Sequence, residues 1–175
     1  FTIYQSLLSA LLSMIIALPL ALTVRKYLEY RIIRFALSLA WLSFVLPVII
    51  GVFAIIKLHG VSGWFSDISV LFGYEKLEYI YGMNGILIAH IFFNVPFATR
   101  IILFSLNTIP DELLRVTIQN NFSRWNTFTV IEWPAIRYNL FVTSAIIFSL
   151  CFTSFVVVLI LGGGPKYSII EVALY

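Results

Sequence analysis

Two polar side chains, His90 and Asn94, interrupt a long apolar run. Four residues apart, they fall on one face of a helix. A polar pair is costly in lipid, so it must face a bundle interior or a water-filled path. Two readings stay open: an interhelical hydrogen bond that holds packing, or the lining of a solute's route. No His, Cys or carboxylate cluster offers metal-ligand spacing. No Ser/His/Asp arrangement suited to nucleophilic catalysis stands out. Gly162, Gly163, Gly164 and Pro165 form a glycine-rich string, but it lacks the Walker pattern and follows an apolar run. Cys151 is the single cysteine, so it has no internal disulfide partner and reads as a small core hydrophobe. The chain is therefore expected to have no catalytic site, no metal and no cofactor.

The elements that hold these residues are set by composition. The sequence has 175 residues, 61% hydrophobic and 11% charged, with a mean hydropathy of +1.02. That balance exceeds what a soluble core of this size needs and places the chain among membrane proteins. Four segments have the roughly twenty apolar residues that a span requires. They are 2–24, 35–58, 85–106 and 140–161, within a single transmembrane domain over 1–175. The expected fold class is all-α, a polytopic membrane helical bundle. Pro19, Pro47 and Pro96 fall inside the first three segments. Membrane bundles tolerate such prolines because neighbouring groups satisfy the freed carbonyls. The chain begins at Phe1 without a basic leader and reads as a fragment of a longer polypeptide.

Eight of the eleven basic residues lie on one side of these segments: Arg25, Lys26, Arg31, Arg34, Arg100, Arg115, Arg124 and Arg137. The positive-inside rule places that side in the cytoplasm and Phe1 outside. The 60–84 connection and the Gly162 string then lie outside. The 60–84 connection is rich in glycine and aromatics, which suits either lipid anchoring or partner contact.

The cytoplasmic connection 109–134 is longer than a turn at the bilayer surface needs, and it is patterned. Pro110, Asp111 and Glu112 read as a helix start, with carboxylates at the positive end of the dipole. Leu113 and Val116 follow at helical spacing. Asn120-Asn121 reads as a stop, since Asn tolerates the left-handed region. Ser123 can cap a second helix through Trp125, Phe128 and Val130. Pro134, after Glu132-Trp133, marks the return to the fourth segment. Two short helices with an apolar side suit either a partner's groove or a lipid surface.

These residues resemble the cytoplasmic loop of permeases from binding-protein-dependent ABC importers. Arg115-Val116-Thr117 stand where that family has Glu-Ala-Ala, Asn121 stands at its glycine, and Ser123 follows. Phe128 takes the aromatic position, and Ile131-Glu132-Trp133-Pro134 matches the ending. The string Ala89-His90-Ile91-Phe92-Phe93-Asn94-Val95-Pro96, the Leu46-Pro47 pair and the Gly162 string resemble the permeases of thiamine importers, in their N-terminal half. The resemblance covers essentially the whole chain and implies a type I ABC importer permease core in a bacterial inner membrane.

Several expectations follow from the resemblance. A separate cytoplasmic ATPase pair hydrolyses ATP. Glu112, Leu113, Val116, Asn121, Ser123, Trp125, Phe128, Glu132 and Pro134 form the loop that couples it to the spans. A periplasmic binding protein docks outside, with Gly162, Gly163, Gly164 and Pro165 as its possible contact. A second permease half and membrane lipid complete the partners, with no nucleic acid. His90 and Asn94 line the path of a cationic, aromatic solute, thiamine or its phosphate esters, which Phe92, Phe93 and Phe97 can stack against. Transport of ferric iron or another small solute, and a non-transporting scaffold or sensor, stay open as alternatives.

Overall fold

The structure is a computed structural model that describes residues 1–76 and 79–162. Among the described residues it is all-helical. In chain order the helices are α1 (Thr2–Val24), α2 (Arg31–Val45), α3 (Val48–His59), α4 (Trp64–Leu71) and α5 (Met83–Asn107). Then come α6 (Asp111–Gln119), α7 (Arg124–Thr127), α8 (Trp133–Phe152) and α9 (Phe155–Leu161). Four helical stretches are long and apolar enough to cross a membrane: Thr2–Tyr27, Val48–Leu71, Met83–Asn107 and Arg124–Phe152. The protein is a multi-pass membrane protein.

The centre is α1 packed against α5 and α8, with α5 also carrying α2. One face of α1 explains this. Ser6, Ser9, Ala10, Ser13, Ala17 and Ala21 recur three or four residues apart and are buried. Apolar burial gives little drive between helices in lipid, so small residues that let backbones approach supply packing instead. Ala98, Ile102 and Leu106 of α5 and Ile136 and Ile147 of α8 fill the space against them. The opposite face of α1 carries Leu7, Leu11 and Ile15, all exposed. A second cluster joins α3, α9 and the start of α5 through Val52, Ile86, Ala89, Val158 and Leu161.

The segment 35–58 is divided into α2 and α3. The break falls at Leu46-Pro47, both in extended backbone. Proline disfavours helical backbone in the residue before it, and then starts a new helix well. Just beyond, Gly51 lies against the Phe93 ring, where any Cβ would collide. Pro96 remains inside α5. It cannot donate to the Phe92 carbonyl, and Ser43 Oγ of α2, whose proton is shared with the nearer Ala40 carbonyl at 2.7 Å, lies 3.3 Å from it.

The fourth segment also differs from a single span over 140–161. Helix runs without a gap from Arg124 through α7, a five-residue π-turn at Phe128–Glu132, and α8. It then breaks at Thr153 and Ser154 before α9. Pro134 is absorbed into the run because the wider turn just before it re-registers the backbone bonds.

Candidate functional site

The broken helix α8/α9 is held by polar side chains from α1 and α5. The Cys151 carbonyl sits at the break and accepts from Gln5 Nε2 at 2.9 Å and from Ser154 Oγ at 2.7 Å. His90 lies between Ser9 and Ser154. Its Nδ1 is 2.8 Å from Ser9 Oγ, and its Nε2 is 2.9 Å from Ser154 Oγ. The single Ser154 proton goes to Cys151, so Ser154 accepts from Nε2–H, and Ser9 donates to Nδ1. This fixes one tautomer and links three helices. Asn94 Nδ2 donates to Cys151 Sγ at 3.3 Å.

The break opens onto a cavity of about 370 Å³, lined by Phe44, His90, Phe93, Asn94, Ser154 and Phe155 among others. Non-helical backbone at membrane depth survives where it is buried in protein or borders a cavity. Broken helices in membrane proteins recur at solute sites for that reason. His90 and Asn94 are thus in one place and on one cavity wall. They are 3% and 4% exposed, so each also serves packing. Phe93 joins them, whereas Phe97 stacks on Phe44 at 4.7 Å. Gln5, Ser9, Phe44 and Ser154 belong to this cluster and were not evident from sequence. Their only signal was a run of small polar residues in α1 and one serine beyond it.

At the other end of α8, α6 and α7 form a hairpin. Pro110 and the carboxylates Asp111 and Glu112 begin α6. The chain reverses at Asn121, whose φ of 51° is the left-handed value its residue type tolerates. Ser123 then caps α7, accepting from the Asn126 N–H at 3.2 Å. Leu114, Phe128 and Ile131 turn inward against the main core. Leu113, Val116, Trp125 and Val130 turn outward and are exposed, Trp125 to 71%. Between α6 and the π-turn with the start of α8 lies a groove of about 470 Å³, walled by Leu113, Val116, Phe122, Val130 and Pro134. Such an apolar surface marks a contact with another body. Glu112 is exposed beside it.

Glu132 differs from the other hairpin residues. It points to the foot of α1, where its Oε1 meets Arg25 Nη1 at 3.2 Å, with both side chains under one-fifth exposed. The pair joins residues far apart in sequence, so no local pattern announces it. At the opposite end, Gly162 closes α9, its N–H donating to Val158 at 2.9 Å. Gly163, Gly164 and Pro165 lie outside the described residues. Among the described residues no group of His, Cys, Asp and Glu is placed to hold a metal.

No protein-family profile matches the sequence. The chain is 42% identical over 175 residues to the thiamine transport system permease protein ThiP of Haemophilus influenzae, and 40% identical over 176 residues to that of Escherichia coli. Each alignment covers the whole chain and 32% of the relative, so the chain spans about a third of their length. Its fold matches a chain of a bacterial ABC transporter involved in the import of the acidic polysaccharide alginate. The TM-score is 0.80 at 16% identity, over 99% of this chain and 65% of that one.

Proposed function

We propose that this chain, homologous along its full length to thiamine transport permeases, is part of the membrane permease of an ABC importer for thiamine and its phosphate esters. The direction is from periplasm to cytoplasm across a bacterial inner membrane, and a separate pair of cytoplasmic ATPase subunits supplies the energy. The observation that carries the coupling is the hairpin of α6 and α7. Its apolar face is exposed, and its second helix continues through the π-turn into α8. A push on Trp125 or Val130 therefore moves a rigid rod whose far end is the break beside His90. Glu112, Leu113, Val116, Asn121, Ser123, Trp125 and Phe128 shape the docking surface, while Glu132 and Pro134 attach it to the spans.

The path passes the cavity at the break. His90, Asn94 and Ser154 offer polar partners there, and Phe44 and Phe93 offer ring faces to an aromatic cation. A periplasmic binding protein delivers the solute at the outer end, with Gly162, Gly163, Gly164 and Pro165 as its contact. The cargo rests on the relatives, since cavity shape alone does not name it. The test is uptake of labelled thiamine into vesicles holding the full permease, its ATPase and its binding protein. ATP-dependent accumulation is expected. Uptake of ferric iron without thiamine would reject the cargo.

A further inference from the structure

The coupling hairpin and the path leave two arginines unused. Arg34, in the first turn of α2, and Arg100, in the last third of α5, line one cleft of about 300 Å³. Among the described residues neither belongs to an ion pair, since the one ion pair there is Arg25 with Glu132. Arg100 instead lies over the Trp41 ring, 4.4 Å from its centroid. A guanidinium on an aromatic face keeps its forked donors free for an anion. Thr99 also borders the cleft, but its Oγ1 is buried away from it, so the two guanidinium groups are the cleft's free donors. Helix α2 moreover begins with Arg31 and Arg34 and no acidic residue, against the preference of the helix dipole. An anion beside Arg34 would relieve that.

We propose that this cleft binds the phosphate of an anionic phospholipid, with Arg34 and Arg100 as its charge partners. The shape favours a lipid over a free phosphate. The cleft's remaining wall is largely apolar, with Leu37 and Leu103 among its residues. A headgroup would sit at the charged mouth and an acyl chain along that wall. The cleft also lies at the end of the bundle where a spanning protein meets the headgroup layer, marked by Arg25 and Lys26 at the foot of α1. Basic pockets between spanning helices at that level take lipid headgroups.

The test uses the full permease in phosphatidylcholine vesicles with or without phosphatidylglycerol, and native mass spectrometry of the released protein. Tightly retained phosphatidylglycerol is expected, with a higher melting temperature than in phosphatidylcholine alone. The R34Q/R100Q pair is expected to weaken retention roughly thirty-fold, at about 1 kcal/mol for each arginine near a charged membrane surface. Its melting temperature in phosphatidylcholine should fall only slightly, through loss of the Arg100–Trp41 contact, and by clearly less than in phosphatidylglycerol. Thr99→Val, which keeps both charges, should leave retention at the wild-type value. Equal retention by the double variant and the wild type would overturn the proposal. So would equal destabilisation of the double variant in both lipids, which would mean that the arginines act through Trp41 or a carboxylate of the remaining permease rather than through lipid. Inorganic phosphate alone matching the protection by phosphatidylglycerol would likewise reject a lipid as the source.

Discussion

The α6–α7 hairpin and the polar cluster around His90 sit at opposite ends of one helical rod, and they handle polarity in opposite ways. At the hairpin, apolar groups such as Trp125, Val130 and Ile118 are exposed, while polar groups serve as caps and turns. At the break, polar groups from α1, α5 and the α8/α9 junction are buried and largely consumed by one another. The first arrangement stays incomplete until another surface covers it. The second is nearly complete and borders a cavity. Under the proposed function, the difference separates a place that would receive force from a place where a solute would pass.

Substitutions can break this contrast from either side. The largest effect is expected from E112K with W125A. Both side chains are exposed, so folding and insertion should be unaffected. Loss of a central Trp at an interface costs about 2–4 kcal/mol. ATPase co-purification with the full permease should therefore fail, and normal co-purification would remove the hairpin from its proposed role.

His90→Leu should give the opposite pattern. It removes the bonds to Ser9 and Ser154 and leaves the buried Ser9 hydroxyl without its His90 acceptor. The cost is about 1–2 kcal/mol for two interhelical bonds in a membrane. A lower melting temperature with full ATPase association is expected. A variant as stable as the wild type would show that the His90 bridge holds nothing.

Position 121 sharpens the comparison with a smaller effect. Asn121→Val forces a β-branched residue into the left-handed region, at a cost of roughly 1–2 kcal/mol. It should loosen the turn between α6 and α7 and weaken ATPase association modestly. Asn121→Gly should be close to neutral, since glycine enters that region freely. Both variants can be followed by co-purification and by proteolysis of the hairpin. Equal behaviour of Val and Gly would mean that the turn does not set the docking geometry.

Much of the hairpin was legible because its rules are local. The carboxylates at the start of α6, Asn121 at the reversal and Ser123 at the cap each act within a few residues. The break at Thr153 and Ser154 was not legible. Neither residue is a helix breaker, and the break is held by Gln5 and His90 from distant helices. The Arg25–Glu132 pair was hidden for the same reason. Pro134 looked like a loop boundary, and only the π-turn before it lets the helix continue. His90 and Asn94 were readable as a shared face from spacing alone. That they meet Ser9, Cys151 and Ser154 depends on how three helices pack.

The central claim is that the hairpin drives and the cluster conducts. It is tested most directly by the rate of ATP-driven labelled-thiamine uptake per bound ATPase, in vesicles holding the full permease with His90→Leu. The expected result is wild-type ATPase binding with uptake largely lost. Wild-type uptake per bound ATPase would contradict it, because a solute path through the cavity at the break cannot be indifferent to His90.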